Sequence, residues 1–148
     1  MIKERHKNIP ASYLILMDND KILLQRRCNT GYKDGEYGIP SGHVDKGESF
    51  TKALIREMKE EIGIVLKPED VKVVHIIHRK SETGDERIDT FYTAHKWENE
   101  IKNMEPNKCD DLSWFPLDNL PDNTINYLKF VFEQIKNKKF YSEYGWEK

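Results

Sequence analysis

The chain has 148 residues, 34% of them charged, and a formal net charge of −2. That length supports one hydrophobic core, so one domain is expected over 1–148, and the charge balance leaves no basic field for a nucleic acid polymer or an anionic membrane. No apolar run is long enough to span a bilayer, and the polar residues 1–7 do not read as a signal peptide. Cys28 and Cys109 are too few for a disulfide framework and read as structural thiols, and no His has zinc-ligand spacing with them. A cytoplasmic protein is the expectation. In chain order, the apolar runs 11–17 and 21–27 flank the turn-forming triplet Asp18-Asn19-Asp20 and predict a β-hairpin. Residues 28–38 carry three glycines and predict a loop. A helix follows from Ser49 to Gly63. Strands are predicted at 71–78, 88–97 and 111–116, the first two joined by a polar loop containing Gly84. A last helix is predicted from about Asn123, with Ile125, Leu128, Phe132 and Ile135 at helical spacing. The tail 137–148 carries Phe140, Tyr141, Tyr144 and Trp146, which favour packing on the body over a dimer contact. Strands around a central helix, with a second helix at the end, indicate an α/β domain with a mixed sheet between helices.

The central helix and its entry loop, Gly42 to Ile64, carry the chemistry. Ser49 suits the N-cap, and Gly63 suits a left-handed C-terminal position. Phe50, Leu54, Met58 and Ile62 form one apolar stripe, widened by Ile55, with Glu57, Glu60 and Glu61 on the adjoining arc. Glu61 projects roughly 20° from Leu54, at the seam between core and solvent. Three carboxylates at this spacing repel one another, and burying one adds a desolvation cost. A hard divalent cation relieves both, since Mg²⁺ takes oxygen ligands. The bland alternative is a solvated acidic face. Arg56 can reach Glu48 and tie loop to helix.

This stretch resembles the Nudix hydrolase box. Gly42 is followed after five residues by Glu48, and after seven more by Arg56-Glu57-Met58-Lys59-Glu60-Glu61-Ile62-Gly63-Ile64, with no departure from the pattern. The resemblance, MutT-like, implies the Nudix α/β/α sandwich and a metal-dependent hydrolase cleaving the diphosphate linkage of a nucleoside diphosphate-X substrate. It implies that Glu57, Glu60 and Glu61 bind Mg²⁺ (or Mn²⁺) and activate water, Glu57 being the general base chosen here. The Ser41 carbonyl would be a further ligand, although the family usually has glycine there. Gly42, Glu48, Arg56 and Gly63 would be the structural box residues, with Gly42 also against the substrate. Residues 103–116, with Glu105-Pro106-Asn107-Lys108-Cys109 before Trp114-Phe115-Pro116, resemble a subgroup of nucleoside triphosphate diphosphatases. There Glu105 would be the distal metal ligand, with Asp110 the runner-up. By the same resemblance Arg27 would meet substrate phosphates. Tyr37, where many relatives have tryptophan, either stacks a base or fills the core.

The substrate class follows from the same comparison. The proline that marks ADP-ribose enzymes, the NADH motif and the tyrosine of dinucleoside polyphosphate hydrolases are missing. A canonical or oxidised (d)NTP, hydrolysed to the monophosphate and pyrophosphate, is therefore the expected small-molecule partner of a monomer or homodimer. A pyrophosphatase for nucleotide-sugars or another nucleoside diphosphate-X, or a non-catalytic ligand sensor, are the alternatives. An isoprenoid diphosphate isomerase would need cysteine and glutamate positions that cannot be placed.

Overall fold

The computed structural model describes residues 3–147; Met1 and Ile2 at the polar start and Lys148 at the end of the tail lie outside them. The central helix is α1, Phe50–Ile62. The Ser49 hydroxyl accepts the Lys52 amide at 3.1 Å, and Gly63 closes the helix in the left-handed region at φ 73°. Both ends fall where the local sequence put them.

Two sheets lie beside α1. One is five-stranded and mixed, in the order β5 (Ser41–His43), β1 (Ile9–Ile15), β7 (Glu86–Ala94), β6 (Val71–Lys80), β9 (Tyr141–Tyr144). Strand β1 runs parallel to β7, as β6 does to β9, and the other two pairings are antiparallel. The other sheet is antiparallel, with β3 (Lys21–Arg27) paired to β2 (Met17–Asp18), β4 (Tyr37–Gly38) and β8 (Cys109–Pro116).

Strand alternation distributes the core to both faces. Tyr13, Ile15, Ile77 and Phe91 cluster with Tyr127, Leu128 and Val131 of α2 (Asn126–Lys136). Leu14, Leu16 and Tyr92 cluster instead with Leu54, Met58 and Ile62 of α1. Each buried side chain of this size contributes about 1.5–3 kcal/mol of apolar burial. The sheets are thus held between helices, as an α/β/α sandwich requires. No helix of the described residues is long and apolar enough to cross a membrane.

Several boundaries differ from the sequence expectation. The first arm of the predicted hairpin is divided: β1 belongs to the mixed sheet, and only Met17 and Asp18 pair with β3, opposite Ile22 and Lys21. The reason is nonlocal, because β1 finds its partner in β7, some eighty residues on. The predicted loop 28–38 ends early, since Tyr37 and Gly38 pair with Arg26 and Gln25. Strand β7 stops at Ala94 rather than 97, and β6, β7 and β8 each begin earlier or run longer than predicted. Helix α2 begins at Asn126, because the Ile125 amide is already bonded to the Tyr37 carbonyl and the Tyr37 amide to the Asn123 carbonyl. The described tail packs on the body as β9, and the Trp146 indole donates to the His78 carbonyl at 2.9 Å.

One irregularity positions the site. The β3–β8 register pairs Arg26 with Asp111 and then Arg27 with Cys109, so Asp110 is an extra residue on β8. Its carboxylate accepts the Arg26 Nε at 2.7 Å.

Candidate active site

The box loop and α1 are joined by one guanidinium. Arg56 Nε donates to Glu48 at 2.6 Å and Nη2 to its other oxygen at 2.9 Å, a two-pronged pair. Nη2 also reaches the His43 carbonyl at 3.2 Å, while Nη1 donates to Glu57 at 2.7 Å and to Glu60 at 3.3 Å. Glu48 accepts the Asp45 amide at 2.9 Å as well. The Arg56 guanidinium holds the Glu48 carboxyl well below the usual range, at about 2.

Gly42 has a steric reason. A Cβ built there would lie 2.1 Å from the Glu57 Cδ, so only glycine lets that carboxylate lie against β5. Glu61 sits one turn further on, accepting the Ser41 amide at 3.1 Å. Burial, with the Glu57 charge second, pushes Glu61 up to about 8. Burial also raises Glu57, against the opposing pull of Arg56. Glu105 adds to the rise at both. It is carried to the site by a turn in which its amide donates to the Asn103 side chain, at 3.0 Å, and its carbonyl accepts the Lys108 and Cys109 amides, at 2.9 and 3.0 Å.

Glu57, Glu60, Glu61 and Glu105 line a cavity of about 750 Å³. Ser41, Gly42 and Arg27 line it too. Arg27 Nε donates to the Tyr32 carbonyl at 2.7 Å and Nη2 to the Thr30 hydroxyl at 3.1 Å, so it also shapes the loop 28–36. Glu48 and Gly63 lie off the cavity wall. Two sequence candidates are placed elsewhere. Tyr37 is buried edge-on against Phe115 with its hydroxyl bonded to Asp111, so it fills the core rather than offering a face to a base. Asp110 is turned to Arg26 and is absent from the cavity wall, which corrects its standing as runner-up to Glu105.

Sequence reasoning missed the opposite wall. Arg79 on β6 pairs with Asp89 on β7 at 2.5 Å, and its guanidinium carbon stacks 3.7 Å from the Tyr127 ring centroid. The Tyr13 and Tyr127 hydroxyls share a 2.8 Å bond, and burial pushes the Tyr127 hydroxyl up to about 12. Arg79, Arg87, Tyr13 and Tyr127 line the cavity. The sequence places Arg79 and Arg87 in the polar loop between the two predicted strands, whereas β6 runs on to Lys80 and β7 begins at Glu86.

A divalent cation is the group this family implies. Among the described residues no three His, Cys, Asp or Glu side chains close around one point, Glu57 and Glu60 being drawn to Arg56. The donor chemistry nevertheless fits: Glu57, Glu60, Glu61 and Glu105 offer hard carboxylate oxygens to the same cavity, and Glu57 and Glu61 are raised by burial first and by neighbouring carboxylates after it. Glu57, Glu60, Glu61 and Glu105 are the residues that would hold it.

An acidic helix of this form, facing a roomy cavity that also holds arginines, belongs with enzymes that hydrolyse nucleotide-linked diphosphates. The particular family follows from comparison: residues 7–134 match the NUDIX domain, and the chain belongs to the Nudix family as a hydrolase. It is 29% identical over 133 residues to an ADP-ribose pyrophosphatase of Methanocaldococcus jannaschii, covering 90% of this chain and 76% of that one. To the 8-oxo-dGTP diphosphatase of Escherichia coli it is 26% identical over 111 residues, 73% of this chain and 83% of that one. An NAD-capped RNA hydrolase NudC of Stutzerimonas stutzeri is 27% identical over 112 residues, 76% of this chain but only 38% of the relative's length. Among solved structures, a MutT NUDIX hydrolase from Burkholderia pseudomallei superposes with a TM-score of 0.78 at 27% identity, covering 87% of this chain and 98% of that one.

Proposed function

We propose that this Nudix hydrolase converts a canonical or oxidised (d)NTP to the nucleoside monophosphate and pyrophosphate, as one cytoplasmic domain in a monomer or homodimer. The observation that carries the reading is the polarity of its cavity. Its lining combines the carboxylates of Glu57, Glu60, Glu61 and Glu105 with the apolar side chains of Ile39, Ile125 and Leu128. The volume, about 750 Å³, lies in the range of nucleotide-sized ligand sites. Phosphates belong with the carboxylates and a base with the apolar side chains.

A bound Mg²⁺ (Mn²⁺ as a substitute) supplies neutralisation of the phosphate oxygens and a lowered pKa for water. The protein's own groups do the rest. Glu57, Glu60, Glu61 and Glu105 would hold the cation, with the Ser41 carbonyl as a further ligand. Arg56 and Gly42 fix the Glu57 carboxylate, which takes the proton from the attacking water. The water oxygen bonds to phosphorus, and pyrophosphate leaves with the bridging oxygen. Arg27 orients the phosphates and holds the loop over them.

A second reading, ADP-ribose hydrolysis, is favoured by the similarity to the archaeal ADP-ribose pyrophosphatase across 90% of this chain. A panel of (d)NTPs, 8-oxo-dGTP, ADP-ribose, NADH and a dinucleoside polyphosphate, with Mg²⁺ and then EDTA, separates the two. One triphosphate should dominate, EDTA should abolish turnover, and Glu60→Gln should slow it by about a hundredfold, the scale of a major electrostatic contribution. Turnover of ADP-ribose with every triphosphate ignored would sink the triphosphate assignment.

A further inference from the structure

Four cationic side chains line the cavity, Arg27, Arg79, Arg87 and Lys108, and they differ in how far their donors are already used. Arg79 is neutralised by Asp89 and stacked on Tyr127. Arg27 gives its short bonds to the Tyr32 carbonyl and the Thr30 hydroxyl. Lys108 presents a single flexible ammonium, without the planar fork that matches a phosphate. Arg87 stands apart. Its only polar contacts among the described residues are long, Nη1 to the His43 Nε2 at 3.3 Å and Nη2 to Asp85 at 3.4 Å. Its Nε is buried with no partner.

A buried, unpaired guanidinium N–H costs free energy unless something accepts from it. This one belongs to a cavity-lining residue, two positions from Asp89, whose Oδ1 is likewise buried without a partner among the described residues. Arg87 and Asp89 share a face of β7, Asp89 lies opposite Ala11 of β1, and Ala11 lies opposite His43 of β5. His43 follows Gly42, against which the Glu57 carboxylate packs. Arg87 is therefore linked through His43 to the strand that backs the carboxylates, and it shares their cavity. An arginine N–H can only donate, so the His43 Nε2 is the acceptor in this contact.

We propose that Arg87 is a phosphate-binding residue of this enzyme, its free Nε–H and an Nη–H forming a two-pronged contact to the diphosphate portion of the substrate, with His43 as the positioning residue that sets the guanidinium. The assignment rests on the hydrolase site described above but not on the identity of the base. Its test therefore uses inorganic pyrophosphate, which has none.

Pyrophosphate binding by calorimetry, with and without Mg²⁺, and its inhibition of nucleotide turnover are compared for wild type, Arg87→Lys and Arg87→Gln, with circular dichroism as the fold check. Arg87→Gln should weaken pyrophosphate binding by about tenfold or more, the scale of a lost charge-assisted bond, and raise KM in step with less effect on kcat. Arg87→Lys, which keeps the charge but loses the fork, should fall between. Unchanged pyrophosphate affinity in a folded Arg87→Gln variant overturns the proposal. If that variant does not fold, Arg87→Lys decides: a change below about twofold overturns it. If wild type ignores every triphosphate yet loses pyrophosphate affinity on substitution of Arg87, the substrate reading fails and this one stands.

Discussion

Arg56 and Arg79 each anchor a wall of the cavity, in opposite ways. Arg56 is a partly exposed hub: its side chain is 29% exposed, and it serves Glu48, Glu57, Glu60 and the His43 carbonyl at once. Its carboxylate partners are Glu48 and Asp45 of the entry loop and Glu57 and Glu60 of α1. Arg79 is a buried pair, with side chains 3% and 0% exposed, bridging two strands. The difference separates arranging from stabilising. A shared, partly solvated guanidinium orients carboxylates at little net stability, whereas a buried one depends on its partner for existing there at all.

Substitutions can break each side of that contrast. Asp89→Ala leaves Arg79 buried and uncompensated and should cost about 3–5 kcal/mol of unfolding free energy, read as a fall in the denaturant midpoint. A loss below 1 kcal/mol would mean that Tyr13 and Tyr127 suffice to hold Arg79. Gly42→Ala should leave the melting temperature nearly unchanged while slowing turnover about a hundredfold, because the new Cβ displaces Glu57 from its seat. Equal loss of stability and activity would instead make Gly42 a folding residue. The metal-free protein should also respond to pH. Glu61 ionises near 4.5 when unfolded but holds its proton to about 8 when folded. The folded state thus binds more protons in that window, and stability falls as pH rises from 4.5 to 8. Thermal melts in EDTA should show the decline, and Mg²⁺ should oppose it; a flat profile would place Glu61 in a wetter setting. The smallest change belongs to the helix end. Ser49→Ala removes the cap on the Lys52 amide and should cost about 1 kcal/mol with little change in kcat.

The two walls were unequally legible in the sequence. The α1 wall was plain because everything that builds it is local: a cap, an apolar stripe at 3.6-residue spacing, a left-handed glycine, and carboxylates one turn apart. The wall of Arg79, Arg87, Asp89 and Tyr127 depends on pairing across β1, β6 and β7 and on α2 folding over them. No single segment encodes that register. The same limitation explains β1, which read as one arm of a hairpin but pairs in the mixed sheet as far as Ile15, the chain reaching β3 only at Met17 and Asp18. For Tyr37 the sequence allows both stacking on a base and filling the core, and its pairing with Arg26, which turns the ring toward Phe115, decides for the core. Glu105 was reachable only through resemblance, since a carboxylate in a turn carries no local mark of what it faces.

The extra residue at Asp110 makes chain length itself a constraint. The turn before it is closed by the Lys108 and Cys109 amides on the Glu105 carbonyl, so deleting one position among 106–108 would break that closure and pull Glu105 away from α1. By contrast, the exposed turn between Ser81 and Asp85 joins β6 to β7 at the rim and can gain or lose residues without shifting either strand. Drift by insertion and deletion should therefore gather at 82–84 and spare 105–111. There the number of residues is as much a part of the active site as their identity.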